Sequence, residues 1–454
     1  MGDELKMKFK IQISEIQRNG IKDVKVIGEE LSNFIELDID FTKLIKFNRT
    51  VSSKVKDFLF FASIIYSIDK SVSRKKFRDN WTRNLCIEIP LQNWELYNSI
   101  KKEIENAVSF LTGDNWSFDF IELKESVFID DENVQLESSF PIQTSLFSGG
   151  LDSLIGVINW LEENVGKGIA LVGHYDRHIT QPKTDQDFLF ELLKSEYSER
   201  IELVQVRVGQ FHGGEETSLR SRSLLFIALG LFVSNSVSPT STLMIPENGV
   251  IALNVPLTPS RRGSCSTRTA HPFFLSSIQE ILNKLDLENT LANPLNYNTK
   301  GEAVMNCLNQ RLLKECIPLS VSCGKRGHTA TWHNRHAKGC GRCVPCIYRR
   351  AALHTINADE EQYGVDICSD SVNIDSNGES EQDLRAFLSF LRKKYTAEDI
   401  SKVLISNGRI KHNELFIYSE MTYRAMEEIK MLIKDKGNQK IYEKSGLPYK
   451  EWNG

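Results

Sequence analysis

One six-residue string, Ser148-Gly149-Gly150-Leu151-Asp152-Ser153, constrains the fold of this chain more than any other stretch. It follows residues 144–147, which predict a short buried strand, and it precedes an apolar pattern at residues 154–161 that predicts a helix. A glycine turn between strand and helix points several backbone N–H groups at one spot, where the helix N-terminus adds partial positive charge. The string therefore predicts a phosphate-binding loop. The alternative is an ordinary tight turn with a serine N-cap.

Three side chains of this string suit a bound phosphate. Ser148 and Ser153 can add hydroxyl donors to the backbone N–H groups, and Asp152 can cap the helix or face a metal ion. The two glycines let the backbone approach an anion closely. The string lacks the Lys of a Walker P-loop at its usual spacing, which argues against a kinase or a GTPase.

Length and composition bound the class of protein. The chain has 454 residues, enough for two or three domains, and 41% of them are hydrophobic, which supports a sizeable core. The net charge of −4 argues against a protein built mainly to coat nucleic acid, so nucleic acid is not expected as the primary ligand. The first residues lack the apolar segment of a signal peptide, and the apolar runs are too short to span a bilayer. We therefore expect a cytoplasmic protein with no membrane partner.

Hydrophobic periodicity divides the chain into four predicted segments. Residues 1–140 mix strand and helix patterns and predict an α+β domain, whereas residues 141–320 alternate strands with helices. Repeated strand–helix units predict an α/β fold with a doubly wound parallel sheet, which binds ligands at the carboxyl ends of its strands. Residues 321–358 hold a cysteine cluster, and residues 359–454 predict a helical extension that packs on the core or on a partner.

Polar residues follow the predicted strands of the second segment. Asp176 comes shortly after a strand at residues 168–173, and Glu247 and Asn248 follow a later strand. Residues 251–254 predict a further short strand. Because the carboxyl ends of parallel strands meet at one edge of the sheet, these polar side chains are candidates for a ligand site.

Two basic clusters lie in the same segment. Arg220 and Arg222 open a long apolar helix at residues 218–236, although the helix dipole disfavours positive charge there. An anionic ligand would explain them, because Arg holds phosphate in a bidentate way; the alternative is a solvated surface pair. Arg261 and Arg268 lie in a hydroxyl-rich loop that is either a lid over ATP or substrate or an ordinary mobile loop.

Four of the nine cysteines predict a metal site. They are Cys323, Cys340, Cys343 and Cys346. Four thiolates satisfy a tetrahedral zinc ion, and two-residue gaps let neighbouring cysteines bind the same ion. Because all four positions are filled, the zinc would be structural. The nearby His328, His333 and His336 compete as ligands, and a redox role or an iron–sulfur cluster are the alternatives.

These motifs resemble those of a known family. The string at residues 148–153 resembles the pyrophosphate-binding loop of N-type ATP pyrophosphatases, the PP-loop family. Together with the four cysteines downstream, it resembles the QueC family of 7-cyano-7-deazaguanine synthases, over residues 141–355. The N-terminal segment, with residues 81–83 and 111–116, is similar to the long QueC-like proteins of bacterial antiphage systems, the QatC type and the relative in type IV CBASS.

The resemblance implies an adenine-nucleotide hydrolase-like fold, a ligase that forms AMP and pyrophosphate, and ATP, Mg²⁺ and Zn²⁺ as cofactors. In the family, ATP adenylates the carboxylate of 7-carboxy-7-deazaguanine, ammonia displaces AMP to give an amide, and a second activation dehydrates the amide to the nitrile. In the defence branch, the resemblance implies that the activated base is joined to a protein amine, on a protein substrate from the same defence operon.

Residue chemistry and resemblance together give three sets of candidate site residues. The ATP-binding set is Ser148, Gly149, Gly150, Leu151, Asp152, Ser153 and Asp176. The catalytic set is Ser148, Asp152, Ser153, Arg220 and Arg222. The substrate-binding set is Glu247, Asn248, Arg261 and Arg268. Within it, Glu247 and Asn248 are expected to read the edge of the base, since a carboxylate can accept from guanine-type N–H groups.

Two other functions remain open. A PP-loop enzyme that thiolates or amidates tRNA needs a basic tRNA surface or a catalytic cysteine, for which Cys265 and Cys307 are candidates. Tight tRNA binding with strong salt dependence would favour that function. The third possibility is a non-catalytic, nucleotide-binding subunit of a defence complex, which would carry the same loop without turnover.

Overall fold

The structure, a computed structural model, describes most of the chain. The described residues are 5–29, 34–130, 142–216, 218–257, 268–326, 329–369, 372, 374–375 and 379–448. Arg261, Cys265 and His328 lie outside them. The chain forms two compact units. Unit 1 comprises Met1–Ser148, Glu163–Ile245 and Ser266–Asn293, and unit 2 comprises Gly149–Glu162, Pro246–Cys265 and Pro294–Gly454.

Unit 1 is built on one ten-stranded sheet. Its strands are β1 (Lys6–Arg18), β2 (Ile21–Gly28), β3 (Ile35–Asp40), β4 (Asn84–Leu91), β5 (Asn115–Glu122), β6 (Gln143–Leu146), β7 (Ile169–Tyr175), β8 (Ile201–Gln210), β9 (Thr242–Met244) and β10 (Thr290–Ala292). They lie in the order β10-β9-β6-β7-β8-β3-β2-β1-β4-β5. Six of the nine neighbouring pairs are parallel. The predicted α/β class with a largely parallel sheet is confirmed.

Five consecutive strands, β6 to β10, are parallel to their neighbours in the order β10-β9-β6-β7-β8. If these strands are numbered 1 to 5 from β6 to β10, their order read from the β8 side is 3-2-1-4-5. The winding direction therefore reverses between β6 and β9. Open α/β sheets bind ligands outside the carboxyl ends of the strands at such a switch point. Ser148 follows the carboxyl end of β6 and Asp176 follows that of β7.

The strands of residues 1–140 continue this sheet. β3 pairs antiparallel with β8, with Leu37 opposite Gln210 and Asp40 opposite Arg207. The buried Asp38 reinforces the junction, because it accepts from Arg207 Nε at 3.0 Å. The predicted N-terminal α+β segment therefore shares one sheet and one compact unit with the strands that follow it.

Sixteen α-helices are described. They are α1 (Ile45–Asn48), α2 (Ser53–Ser71), α3 (Trp94–Ser99), α4 (Lys101–Thr112), α5 (Leu151–Glu163), α6 (Gln181–Tyr197), α7 (Arg222–Val237), α8 (Gly249–Leu253), α9 (Pro272–Lys284), α10 (Lys300–Met305), α11 (Gln310–Cys316), α12 (Val344–Thr355), α13 (Gln382–Arg392), α14 (Ala397–Ile405), α15 (His412–Lys436) and α16 (Gln439–Ser445). Within unit 1, α7 packs closely on the sheet. A Cβ at Gly230 would lie 2.5 Å from a methyl of Leu146 on β6.

One predicted element is wrong. Residues 251–254 were expected as a strand but belong to α8 and its C-cap. The side chain of Asn248 accepts from the Ile251 N–H at 3.2 Å, which caps the helix, and Asn254 ends it at a φ of +50°. In a segment this short, the cap supplied by Asn248 favours a helix. The pattern of apolar residues alone does not distinguish a helix from a strand.

Unit 2 contains the predicted C-terminal helices. α12, α13, α15 and α16 contribute to one apolar core, which includes Tyr348, Phe387, Tyr418 and Leu432. None of the helices in the described part of the chain combines the length and the apolar character needed to cross a membrane.

His271 gives unit 1 a measurable sensitivity to acid. Its Nδ1 caps α9 by accepting from the Phe273 N–H at 3.2 Å. Burial, reinforced by Arg268, lowers its pKa from 6.5 to about 3. As the pH falls from 6.5 towards 3, the unfolded chain takes up the proton first, so the folded state loses about 1.4 kcal/mol per pH unit from this residue.

The variant His271→Asn keeps an N-cap acceptor but removes this proton uptake. We expect its free energy of unfolding, measured by urea titration, to fall less steeply than that of the wild type between pH 6 and about 4. His412→Asn, at an exposed histidine on α15, is the control. Parallel stability curves for His271→Asn and the wild type would contradict the prediction.

Candidate functional site

The glycine string forms a turn that only glycine fits. Gly149 has a φ of +80°, in the left-handed region that side-chain-bearing residues rarely adopt. Its carbonyl accepts from the Val321 N–H at 3.1 Å. α5 begins at Leu151, and the Ser153 hydroxyl donates to the Gly150 carbonyl at 3.0 Å. The structure therefore has the predicted order of strand, glycine turn and helix.

Asp152, in the first turn of α5, is held by a buried cation. Lys300 Nζ lies 2.7 and 2.8 Å from the two carboxylate oxygens. Asn248 Nδ2 donates to Oδ2 at 2.9 Å. Lys300 is only 2% exposed, so this is an ion pair largely shielded from water. Asp152 thus joins α5, α8 and α10 within unit 2.

Asn248 uses both ends of its amide in this arrangement. The nitrogen donates to Asp152, and the oxygen caps α8. The side chain is fully buried. Asn248 therefore positions Asp152, and the polar atoms predicted to read a base edge are occupied. Glu247, its predicted companion, is half-buried.

Asp176 is also paired within the protein. In unit 1, Lys70 Nζ lies 2.6 Å from Oδ2, and the His178 N–H donates to Oδ1 at 2.8 Å. A Cβ atom at residue 209 would lie 2.5 Å from Asp176 Oδ2, so glycine at this position leaves room for the Asp176 carboxylate. Both members of the pair are buried. Asp176 lies at the predicted strand end, with Lys70 as its counter-ion.

Arg222 is oriented by a neutral histidine. Its Nε donates to His174 Nδ1 at 3.2 Å, and its Nη2 donates to the His174 carbonyl at 3.1 Å. Burial, with Arg222 close by, lowers the pKa of His174 to about 3. The neutral ring accepts at Nδ1, so its proton is on Nε2, which lies 3.0 Å from the Val208 carbonyl. This pair fixes the first residue of α7.

Arg220 points into a different cluster of unit 1. Its Nη1 donates to the Thr112 carbonyl at 2.8 Å, and its guanidinium lies 4.0 Å from the centre of the Trp81 ring. Burial, followed by the nearby Arg74, lowers its pKa to about 10. Arg220 is 8% exposed, so the alternative of a solvated surface pair is wrong for this residue.

Two carboxylates balance this arginine cluster. Asp114 binds Arg83 and Arg74, with Nη2 of each donating to Oδ2 at 2.6 and 2.8 Å respectively. Asp69 binds the fully buried Arg83 and accepts from the Ser221 hydroxyl at 2.7 Å. The cluster ties the start of α7 to the turn after α4. Arg74, Arg83 and Arg220 thus all contact this junction within unit 1.

Arg268 is anchored in unit 1. Its Nη1 donates to the Phe110 carbonyl, and its guanidinium lies 4.3 Å from the centre of the Phe110 ring. Burial lowers its pKa. The described end of the predicted lid is thus attached to α4.

The four cysteines form one cluster in unit 2. All four sulfurs lie within 4.8 Å of one another, and no other group of His, Cys, Asp or Glu in the described residues is arranged to hold a metal ion. Cys323 and Cys343 are 4.0 Å apart between sulfurs, and Cys340 and Cys346 are 3.9 Å apart. A tetrahedral Zn–S₄ site has sulfurs about 3.8 Å apart, so the cluster fits zinc.

The surroundings of the cluster also suit thiolate ligands. Backbone N–H groups of Lys325 and Cys340 donate to Cys323 Sγ at 3.3 Å, and that of Cys343 donates to Cys340 Sγ at the same distance. Hydrogen bonds from the other thiols, Cys323 first, lower the pKa of Cys340. Trp332 packs directly against the cluster. The four thiols are free and are not paired in disulfides.

A cavity of about 220 Å³ adjoins the cluster. It is lined by Val321, Cys323 and Cys346 and by the polar side chains of Lys338, Arg349 and Tyr363, among others. Val321 is also the residue that binds the Gly149 carbonyl. Within unit 2, Val321 therefore lines the cavity and binds the glycine turn, and no residue of the glycine string lines the cavity itself.

Cys307, the described candidate for a catalytic cysteine, lies in an environment that disfavours the thiolate. It is buried, and burial raises its pKa to about 11. Reactive cysteines have a lowered pKa, because the thiolate is the attacking species. This environment disfavours a thiolating role for Cys307.

Lys300, the cation that pairs with Asp152 of the glycine string, was not among the site residues predicted from the sequence. A signal was present. Thr299 and Glu302 form a capping box, which places Lys300 at the first position of α10. The helix dipole disfavours a cation at the first position of a helix. This reasoning made Arg220 and Arg222 candidate site residues, and it applies equally to Lys300.

Comparison with protein-family models and with curated proteins finds no match for this chain.

Proposed function

We propose that this chain is an ATP-dependent enzyme that adenylates the carboxylate of a 7-deazaguanine acid, releases pyrophosphate and passes the activated base to a nitrogen nucleophile. The nucleophile is ammonia or a protein amine, and the setting is bacterial antiphage defence in the cytoplasm. The single observation that supports this most is the glycine turn after β6. It has a left-handed Gly149, and it follows the strand at which the sheet reverses its winding.

The loop and its neighbours supply the groups that such a reaction needs. In this proposal the N–H groups at the start of α5 bind phosphate oxygens, and the ion pair of Lys300 with Asp152 lies in the first turn of the same helix. Charge that builds on departing pyrophosphate is met by these fixed groups, which need no reorganisation during the reaction. Asp152 holds Lys300 in place for this role. Lys300 donates to both of its oxygens and Asn248 donates to Oδ2, and we assign no step to Mg²⁺ at this residue.

The cysteine cluster has a structural role in this proposal. A zinc ion with four thiolate ligands has no open position for water or substrate. When bound, it supplies a fixed link between the segment at Cys323 and the start of α12. That segment includes Val321, which holds the glycine turn and lines the cavity. We propose the cavity as the place for the planar base.

The test is product analysis with 7-carboxy-7-deazaguanine, ATP and Mg²⁺. We expect AMP and pyrophosphate in amounts that depend on the acid. ADP as the nucleotide product, or no turnover with ATP bound, would overturn the proposal, and the second result would indicate a nucleotide-binding subunit. Mass spectrometry of the base and of proteins co-expressed from neighbouring genes then distinguishes nitrile, amide and protein adduct.

A further inference from the structure

We propose that Glu428, on α15 of the C-terminal helical segment, is a positioning residue for the nucleotide-binding end of α5. It acts through the first turn of α10, which carries Lys300. This inference rests on the proposed function for its consequence in catalysis, but its geometry and its binding test are independent of that function.

The carboxyl group of Glu428 holds α10 at two points. The Thr299 hydroxyl donates to Oε1, and the Gly301 N–H donates to Oε2 at 3.2 Å. Glu428 is 7% exposed, so these bonds form away from bulk water. A Cβ at Gly301 would lie 2.5 Å from Oε1, so a larger residue there would displace the Glu428 carboxyl group from its present position.

Lys300 lies between the two residues that Glu428 binds. Its ammonium reaches Asp152 from the first position of α10. Fixing Thr299 and Gly301 fixes the backbone of Lys300 on both sides, and with it the direction of the side chain. The connection from Glu428 to Asp152 therefore runs through two hydrogen bonds, one residue of backbone and one ion pair, all within unit 2.

The environment of Glu428 argues for a role beyond stability. Burial raises its pKa to about 7, and Glu302 acts in the same direction, whereas the Thr299 and Gly301 donors and Arg424 oppose it. Burying a carboxyl group costs free energy, which two hydrogen bonds only partly offset. An apolar side chain would fill this site in α15 at lower cost, yet it would leave the start of α10 unheld.

The test compares three variants of the full chain. Glu428→Gln keeps an acceptor for Thr299 but turns an N–H donor towards the Gly301 N–H. Gly301→Ala displaces the Glu428 carboxylate but leaves residue 428 itself unchanged. It provides the test if Glu428→Gln fails to fold. Arg424→Gln is the control, because it removes an exposed ion pair with Glu302 between the same two helices.

We expect Glu428→Gln and Gly301→Ala to weaken ATP binding, measured by calorimetry, and to lower kcat/KM for ATP by about tenfold or more. Their melting temperatures should remain close to that of the wild type, and Arg424→Gln should behave as the wild type. Unchanged ATP affinity in the two variants, or an equal loss with Arg424→Gln, would overturn the inference. A wild type that binds ATP but forms no AMP would refute the proposed function alone, since the affinity comparison would still stand.

Discussion

Replacing Lys300 with methionine is expected to lower the rate of AMP formation by about 10²–10³-fold, the usual cost of removing one preorganised charge from developing negative charge. Methionine keeps the apolar stem of the side chain and removes only the ammonium that binds Asp152. The measurement is kcat for AMP release with saturating ATP and the deazaguanine acid.

Two controls separate this effect from misfolding. Lys314→Met removes an exposed lysine from α11 in the same unit and should leave the rate unchanged. Lys300→Met leaves the Asp152 carboxylate without its cation, which destabilises the protein; adding Asp152→Asn removes that charge and should recover melting temperature but not activity. A Lys300→Met variant with at least half of the wild-type rate would contradict a role for this cation in catalysis.

Replacing Cys343 with serine is expected to abolish metal binding and to lower the stability of unit 2. The wild type should contain about one metal ion per chain, by elemental mass spectrometry, because its four thiolates complete a tetrahedral site. Metal binding to such sites contributes directly to the free energy of folding, so the variant should unfold at a clearly lower temperature. Trp332 packs on the cluster, so its fluorescence should change when a chelator removes the metal from the wild type.

Cys368→Ser is the matched control, since Cys368 is a half-buried free thiol outside the cluster. It should retain the metal and the fluorescence response. Metal retained at wild-type stoichiometry by Cys343→Ser would refute the four-cysteine site. Iron with a visible absorption band in the wild type would instead favour the iron–sulfur alternative.

Features encoded in a few adjacent residues could be predicted from the sequence. The glycine string fixes a turn because Gly149 needs a φ that other residues avoid, and the cysteine gaps fix a cluster because neighbouring thiols reach one ion. The predicted strand at residues 251–254 failed because the cap supplied by Asn248 outweighs a short apolar pattern. Local patterns of this length do not separate strand from helix.

Pairings across long stretches of sequence could not be predicted. Asp152 and Lys300 are 148 residues apart, and no periodicity links them. The same applies to the counter-ion of Asp176, which is 106 residues away at Lys70. The strands before Asp176 and Glu247 were predicted close to their observed positions, but the partners of these residues depend on tertiary packing, which one sequence does not reveal. ATP, the deazaguanine and the defence setting stay predictions that rest on motif resemblance.

The antiparallel pair of β3 and β8 has a consequence for biosynthesis. Its partners are far apart in the chain, with 169 residues separating Asp38 from Arg207. During translation, β3 therefore leaves the ribosome long before the strand that covers its free edge. An uncovered strand edge invites association with other chains, and distant pairing slows folding. Nascent chains that end before residue 200 should accordingly depend on chaperones, and recombinant yield should improve when chaperones are co-expressed.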